Sequence, residues 1–160
     1  MQTDVKSFHA SASGLAYNGR NRLKGVVLSP STSVTYNSSV VDTYGALTGT
    51  YDIPGSTTCT VTIANHGLSN GDRVGIDFTS GTAVDDTYVV ANVTTDTFTI
   101  TTASLTTSGN VTMYPRVLTE LDCSSGTSFY TLIPGEGVLA LSGLFVLLPS
   151  TSVTMTIFYG

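Results

Sequence analysis

Apolar and polar residues alternate with a period of two along most of this chain. The runs at 58–63, 74–78 and 97–101 place Cys, Val, Ile or Phe at every second position, with Thr, Gly or Asp between them. This period puts all the apolar side chains on one face of an extended strand. No segment repeats its apolar residues at the spacing of an amphipathic helix, and Thr, Val and Tyr, which favour strands, are abundant. The pattern predicts an all-β fold.

The middle of the chain predicts a small β-domain. Five short strand-like runs lie at 58–63, 74–78, 88–93, 97–101 and 110–114. The segments between them are rich in Gly, Asn, Asp and Ser, which are typical of turns. Strands this short, at this spacing, favour a small barrel or sandwich of about 60 residues.

The two flanks of that middle segment predict a second core. Strand-like runs lie at 4–11, 22–28, 33–41, 116–121, 129–133, 138–141, 144–148 and 153–159. The first three are too few to bury a core alone, whereas all eight can form a jelly-roll-like β-sandwich. We therefore predict a discontinuous sandwich domain at 1–50 and 116–160, with a small β-barrel or β-sandwich inserted at 51–115. Pro54, Gly55 and Pro115 mark the two crossings, and the run from Leu15 to Gly19 predicts a turn.

The charges are few and unevenly placed. Charged residues make up 11% of the chain, and the net charge is −5. Between 51 and 115 there is one base, Arg73, against six aspartates, so this segment carries −5 and the flanks together are neutral. No basic stripe with interleaved aromatic residues occurs, so we expect no nucleic-acid partner. A surface with so few charges suits a protein that packs against other proteins.

Four of the six bases, Lys6, Arg20, Arg22 and Lys24, lie in the first 24 residues. This asymmetry predicts that the sandwich domain attaches to an acidic partner surface, with Arg20, Arg22 and Lys24 near the contact. The alternative is that these bases are isolated, solvated surface charges.

The cysteines and the apolar segments indicate the compartment in which the chain is made. Cys59 and Cys123 match no metal-ligand spacing, and we predict buried free thiols rather than a disulfide. The N-terminal run MQTDVKSFHA lacks the apolar core of a signal peptide, so we expect no Sec-dependent export and synthesis in a reducing cytoplasm. The most apolar run, 138–149, is too short and too interrupted to span a bilayer, so we expect no membrane partner.

The segment NHGLSNGDRV, at 65–74, combines residue types that active sites use. It leads into an alternating strand rather than into the helix that a phosphate cradle requires. His66 has only Asp72 nearby as a second metal ligand, and Ser69 has no nucleophile-elbow context. Gly67 and Gly71 favour reversal of the backbone, and Asp72 can accept hydrogen bonds from turn amides. We predict a tight turn without a catalytic role.

The other acidic residues also predict turns or solvated positions. Asp85 and Asp86, with Asp77 nearby, lack the six or more oxygen ligands of a calcium loop. The glutamate in the run IPGEG predicts a hairpin turn, and Glu120 and Asp122 predict a solvated pair on a strand edge. No carboxylates share a recognisable catalytic spacing. We therefore expect no enzyme activity, no metal site and no cofactor.

Two sets of motifs resemble structural proteins of tailed bacteriophages. The middle segment, from HGLSNGDRVGIDFTSGTA through DDTYVVANVTTDTFTITT, resembles a small β-module that recurs in such proteins, and the likeness covers about residues 58–102. The flanks, with RNRLKGVVL, YTLIPGEGVLALSGLFVLL and a terminal TIFYG, are similar to short virion proteins of the podovirus and cyanophage type. The resemblance implies a particle component and carries over no active-site residues.

The resemblance implies a non-enzymatic virion protein, made in the host cytoplasm and located on the capsid surface. Within that class we predict a head decoration, cement or knob protein that binds the major capsid protein and forms a homo-oligomer. The small size, without long repeats or a coiled coil, favours the head over a tail or neck accessory protein. The other alternative is a host-glycan-binding β-module. It would use four tyrosines unless these are buried in an interface: Tyr17, Tyr36, Tyr44 and Tyr51.

Overall fold

The computed structural model describes residues 4–32, 36–123 and 127–160. These residues form thirteen β-strands: β1 Lys6–Ala10, β2 Gly14–Asn18, β3 Asn21–Pro30, β4 Tyr36–Asp42, β5 Leu47–Thr62, β6 Arg73–Asp77, β7 Asp86–Val89, β8 Thr97–Tyr114, β9 Arg116–Cys123, β10 Phe129–Leu132, β11 Val138–Ala140, β12 Gly143–Leu147 and β13 Val153–Tyr159. Within these ranges there is no helix, and so none long and apolar enough to cross a membrane. The predicted all-β fold is confirmed.

Sheet A joins strands from opposite ends of the chain. Its antiparallel order is β1-β13-β3-β10, and β11 also pairs with β3. Because β13 lies between β1 and β3, Met155 is paired with Ala10 on one side and with Leu28 on the other. Sheet A therefore requires both flanks of the chain.

Sheet B, in the order β2-β12-β4-β9, covers one face of sheet A. The two sheets enclose a core whose largest members are Leu23, Leu28, Leu144, Met155 and Ile157. All five are fully buried, and burial of one such side chain stabilises the fold by about 1.5–3 kcal/mol. Sheets A and B thus form the sandwich that the flanks predict.

Sheet C, in the order β5-β8-β6-β7, has a core of its own. Its main feature is the long ribbon of β5 and β8, paired from Leu47 with Met113 to Thr62 with Thr97. Register shifts near Ser56 bend this ribbon, as bulges do. The ribbon folds back so far that a side chain at Gly49 would collide with the backbone of Thr62. A barrel-like unit results.

Strand β12, inside sheet B, is buried on both faces because it contributes to two cores. Leu144 and Val146 point into the sandwich core, whereas Phe145 and Leu147 point to the opposite side. On that side Leu147 packs with Val41 and Tyr114, and we term these three residues the junction core. A strand buried on both faces loses the polar alternation of a half-exposed strand.

Sheet C packs on sheet B at the junction core. A Cβ atom on Gly75 of β6 would lie 2.7 Å from Val41 Cγ1 and 2.8 Å from Leu147 Cδ1. Only glycine allows this close approach of two sheets. The molecule therefore has three layers, with sheet B between sheets A and C.

Asp42 fixes the point where the chain leaves sheet B and returns to it. Asp42 ends β4, and Arg116, which lies 3.4 Å from its carboxylate, begins β9. The buried carboxylate accepts hydrogen bonds from four backbone amides, those of Tyr44, Leu141, Ser142 and Gly143. Burial alone would raise the pKa of Asp42, but the four amide donors outweigh it and lower that pKa. We term Asp42 and Arg116 the neck.

The structure corrects three details of the predicted strands. Gly14–Asn18 is a strand, β2, and the chain reverses only after it, where Gly19 has a φ of 125°. Residues 102–109 continue β8, so sheet C has four strands rather than five, and the sandwich has nine rather than eight within the described residues. Pro54 and Gly55 lie within β5 rather than at a crossing. The division into a discontinuous domain and an insertion stays a prediction.

The two cysteines lie in different cores. Cys59 belongs to the sheet C core and Cys123 to the sandwich core, and both are buried. The prediction of buried cysteines that do not form a disulfide with each other is confirmed. Burial, helped by the charge of Asp52, raises the pKa of Cys59 to about 11, so this thiol stays protonated.

Candidate docking surface

Strand β10 presents apolar side chains to solvent at one edge of sheet A. Phe129, Tyr130 and Leu132 are 42%, 56% and 64% exposed, although all three lie in a paired strand. Among the described strands, none pairs with the outer side of β10. Exposed apolar side chains along a free strand edge are typical of a surface that binds another chain.

A cleft of about 280 Å³ opens on the outer face of sheet A beside β10. Its walls are mainly apolar and are formed by Val5, Tyr130, Leu132, Ile133 and Phe158, together with Lys24 and Gly135. Strand pairing explains this grouping, because Gly25 of β3 lies opposite Leu132 on one side and Phe158 on the other. A Cβ atom on Gly25 would lie only 3.1 Å from the carbonyl oxygen of Thr131 and 3.4 Å from Leu132 Cδ2, so the neighbouring groups close over Gly25 and the cleft lies beside this contact. We term this site the sheet A cleft.

Lys24 supplies a cation to the wall of the sheet A cleft and is only 8% exposed. It lies at the bulge in β3 where the pairing with β13 skips one residue between Leu23 and Gly25. Its Nζ donates a hydrogen bond to the carbonyl oxygen of Glu136 at 2.6 Å, and no carboxylate of the described residues lies within 4 Å of it. An ammonium group has three donors, so one neutral acceptor leaves it able to bind an anion.

The three predicted contact residues, Arg20, Arg22 and Lys24, do not form one cluster. Arg20 and Arg22 line a second cleft, of about 290 Å³, whose other residues are Asn21, Leu139 and Gly160. Arg22 pairs with the carboxylate of Glu136 at 3.1 Å, and the carbonyl of the same residue accepts from Lys24. The turn at 133–137 therefore connects the two clefts. The role of the three bases in binding a partner stays a prediction.

Tyr130 and Leu132 were not among the contact residues that the sequence predicts. The run FYTLI, at 129–133, was interpreted only as a strand. Its apolar residues occupy both even and odd positions, so they point to both faces of the sheet. One face of this edge strand meets solvent, so apolar residues on both faces indicate an exposed apolar surface. This departure from period-two alternation was the sequence signal for the docking surface.

The segment at 65–74 forms a turn between β5 and β6. Asn65, Gly67 and Gly71 have φ values of 49°, 68° and 93°, which reverse the backbone. The carboxylate of Asp72 accepts a hydrogen bond from the amide of Ser69 at 2.8 Å. Every polar group named here thus has a role in the geometry of the turn.

His66 is buried in the same turn and is held from both ring nitrogens. Its Nδ1 accepts from the amide of Leu68 at 3.1 Å, and its Nε2 lies 3.3 Å from the carbonyl of Thr97. The ring also meets Phe98 edge to face, with 5.1 Å between the ring centroids. His66 therefore anchors the turn to β8.

Asp77 and Asp85 lie close together where sheet C meets the sandwich. Burial, and then the charge of Asp85, raises the pKa of Asp77 to about 6. Asp85 accepts a hydrogen bond from the amide of Phe78 at 2.7 Å. This bond and the nearby Ser13 side chain of the sandwich would lower the pKa of Asp85, but burial outweighs them and raises that pKa.

Asp86 lies on β7, in the same region. Burial raises its pKa to about 6, because the amide of Thr87 and the charge of Arg73 offset burial only in part. Glu120 and Asp122 add repulsion. Within 4–32, 36–123 and 127–160, no three His, Cys, Asp or Glu side chains are placed to hold a metal ion together.

Glu120 is not the solvated residue that the sequence predicts. Its carboxylate pairs with Arg73 of β6 and accepts a hydrogen bond from Asn37 Nδ2 at 2.5 Å. Burial would raise the pKa of Glu120, but the bonds from Arg73 and Asn37 outweigh it and lower that pKa. Because Glu120 lies on sheet B and Arg73 on sheet C, the pair links the two layers.

The tyrosines of the glycan-binding alternative differ in exposure. Tyr51 is only 3% exposed, and its hydroxyl donates to the carbonyl of Ser80, so it is not available to a glycan. Tyr17 is half-buried against Tyr159, with 5.3 Å between the ring centroids. Tyr44 is exposed, and the side chain of Tyr36 lies outside the described part of the structure.

Neither the known protein families nor the curated proteins include a match to this chain. Among solved structures, the chain is similar to the phage phi92 endosialidase, with a TM-score of 0.33 and 20% identity over 81% of the chain. It spans only 20% of the endosialidase. A second similarity is to the VP16-VP17 complex of the two major capsid proteins of bacteriophage P23-77, with a TM-score of 0.24, 8% identity and 98% of both chains covered. Both are phage proteins, at TM-scores too low to define a shared fold.

Proposed function

We propose that this protein is a structural component of a tailed-phage virion. In this proposal it binds the major capsid protein on the outer surface of the head, as a decoration, cement or knob protein, and has no catalytic role. The setting is supported by the resemblance of residues 58–102 and of the flanking motifs to phage virion proteins.

The observation that carries the proposal is the opposite character of the two outer layers. Sheet A exposes an apolar surface at β10 with bases beside it, whereas sheet C carries six aspartates and one arginine. An exposed apolar surface rimmed by polar residues is typical of a protein–protein contact. Because sheet B separates the two layers, sheet A faces the partner and sheet C faces solvent.

The acidic charge of sheet C supports this orientation. Three aspartates of this unit, Asp52, Asp72 and Asp96, are exposed, and their charges keep the unit hydrated and repel it from other acidic surfaces. An acidic patch on the partner would attract the bases beside sheet A and repel sheet C. Electrostatics and apolar burial thus favour the same face for attachment.

Cryo-electron microscopy of virions that contain the protein tests the proposal. We expect repeated density for the protein on the outer head surface, with sheet A against the capsid lattice and sheet C outermost. Density confined to the neck, tail or baseplate would contradict the head location. Mass spectrometry that finds the protein in infected cells but not in purified virions would refute the structural role.

A further inference from the structure

We infer that the sheet A cleft binds an extended acidic–apolar segment of a partner protein. The segment lies beside β10, packs an apolar side chain against Tyr130 and Leu132 at the rim of the cleft, and brings an Asp or Glu carboxylate to Lys24. The inference rests on the proposed function only for the identity of that partner as a capsid protein.

The apolar part of the ligand follows from the walls of the cleft. Leu132 and Phe158 form neighbouring parts of one apolar wall, because both cover Gly25, where a Cβ atom would lie 3.4 Å from Leu132 Cδ2 and 3.7 Å from Phe158 Cδ2. Val5 and Tyr130 continue the walls and are 48% and 56% exposed. Covering such side chains with another apolar side chain gains about 25 cal/mol for each Å² removed from water.

The acidic part follows from Lys24. Its side chain is more than nine-tenths buried in the cleft wall, and its one hydrogen bond within the described residues goes to an uncharged carbonyl. The nearby glutamate, Glu136, directs its carboxylate to Arg22 instead. A carboxylate delivered by the partner would form a charge-assisted bond in a partly desolvated site, where such bonds are strongest.

The extended conformation follows from the free edge of β10. A strand that pairs on one side only offers alternate amide and carbonyl groups to a further strand. Such a strand presents every second side chain to the outer face of sheet A, where the cleft lies. Backbone pairing then supplies affinity, and the cleft selects the side chains.

A second copy of this chain fits the site less well than an acidic partner. Symmetric pairing of two β10 strands would place two copies of the same basic cleft around one axis, and like charges would oppose each other there. A glycan would satisfy Lys24 only if it carried an acid, and it would leave the edge of β10 unpaired. The inferred occupant is therefore a peptide segment.

Selection from a random linear peptide library tests the inference with the full chain as bait. Leu132→Ser is the counter-bait, because Leu132 is 64% exposed and its replacement leaves the core intact. Val89→Ser is the matched control, since Val89 is 52% exposed on β7, an edge strand of sheet C. We expect the native chain and Val89→Ser to enrich peptides with Asp or Glu near apolar residues, and Leu132→Ser to enrich none of them.

Fluorescence anisotropy of an enriched peptide then tests Lys24. We expect that replacing the Asp or Glu carboxylate of the peptide by the corresponding amide weakens its binding to the native protein by about tenfold. The same replacement should change binding to Lys24→Met by less than about twofold, because the interaction partner is gone. If Lys24→Met does not fold, the peptide pair on the native protein still decides the question. Equal binding of the acid and amide peptides would overturn the role of Lys24.

The other outcomes are equally decisive. No enrichment over Leu132→Ser would overturn the inference. A concentration-dependent dimer that Leu132→Ser abolishes would assign the cleft to a second copy, and glycan-array binding that Leu132→Ser abolishes would assign it to a carbohydrate. Protein on the virion head with the cleft open to solvent would refute this inference alone. Peptide binding without any virion association would refute the proposed function alone.

Discussion

The sandwich of sheets A and B and the unit built on sheet C are both made of antiparallel strands, but their surfaces differ. The sandwich exposes Phe129, Tyr130 and Leu132 along one edge strand, and its flanking segments are neutral overall. Sheet C exposes Val84 and Val89 and carries a net charge of −5. Because each unit has its own apolar core, the difference lies in what each one shows to other molecules. The comparison separates a unit with an exposed apolar edge from an acidic unit, and the proposed function takes the first as the attaching unit.

The two units are joined through sheet B, and the neck and the junction core hold the connection. In this arrangement both faces of β12 are covered by other parts of the fold, which is why β12 is apolar at nearly every position. It also means that the stabilities of the two units are coupled. The following experiments measure how strong this coupling is.

The largest effect is expected at the neck. Asp42→Ala removes the buried acceptor of four backbone amides and the partner of Arg116, whose side chain is 40% exposed. We expect the free energy of unfolding to fall by about 3–5 kcal/mol, as when a buried charge network loses one member. Urea unfolding followed by tyrosine fluorescence measures this. Asp52→Ala, which changes an exposed carboxylate of β5, should stay within about 0.5 kcal/mol.

A stable Asp42→Ala protein would show that the neck does not connect the units. If the variant instead gave two separate transitions, the neck would be the source of cooperative unfolding. A single transition at lower urea would show that the junction core also couples them.

The second effect is expected at the junction core. Gly75→Val places a side chain where Val41 and Leu147 already lie within 3 Å of an added Cβ atom. We expect this overpacking to cost about 1–3 kcal/mol and to loosen sheet C from sheet B. Hydrogen exchange should show faster exchange at β6 than at β13. Gly14→Val is the matched control, because nothing lies within 4 Å of its added Cβ atom, and unchanged exchange in both variants would contradict the layered contact.

The third effect depends on pH. Asp77 has a pKa of about 6 in the fold against 3.8 as its ordinary value, so ionising it in the fold costs stability as the pH rises from about 4 to above 6. Asp85 and Asp86, whose pKa values are also raised, act in the same direction. We expect Asp77→Asn to be more stable than the native protein at about pH 7 and no more stable at about pH 4.

Thermal unfolding across this range measures the effect of Asp77. Asp42 and Glu120 act in the opposite direction, because their lowered pKa values stabilise the fold at neutral pH and that contribution is lost as the pH falls. The stability of Asp77→Asn is therefore compared with that of the native protein at the same pH. A gain in stability from Asp77→Asn that is equal at both pH values would contradict the raised pKa of Asp77.

The smallest effect is expected for the ion pair between the layers. Arg73 and Glu120 are 43% and 26% exposed, so water weakens their attraction. We expect a double-mutant cycle of Arg73→Met and Glu120→Gln to give a coupling of at most about 1 kcal/mol. A coupling well above that value would show that the pair, rather than the junction core, holds sheet C on sheet B.

Period-two alternation predicted most of the strands because it reports which face of a strand is buried. All five strands after residue 115 were located from it, and the all-β class followed. It failed for β2, where Leu15 and Tyr17 alternate with small residues beside Gly14 and Gly19, and glycine was interpreted as a turn signal. It also failed at 105–109, where LTTSG continues β8 as part of an extended ribbon with two polar faces.

The candidate site was less predictable than the fold because it depends on contacts between distant segments. The sequence places Lys24 among the bases, but only the bulge in β3 puts its side chain into a cleft with Leu132 and Phe158. Glu120 was interpreted as solvated because its partner, Arg73, is 47 residues away. Asp42 was not singled out at all, since nothing local shows that four amides converge on it.

The pairing of β3 with β13 has a consequence for the order of assembly on the ribosome. The residues of β3 leave the ribosome before those of β13 at 153–159. Sheet A cannot form completely until β13 is present to pair with β3. The ribbon of β5 and β8 joins strands much nearer in sequence, and contacts of shorter separation form sooner. We therefore expect the unit built on sheet C to fold before sheet A closes. The sheet A cleft needs Phe158, so under the proposed function the docking surface cannot bind its partner until β13 has left the ribosome.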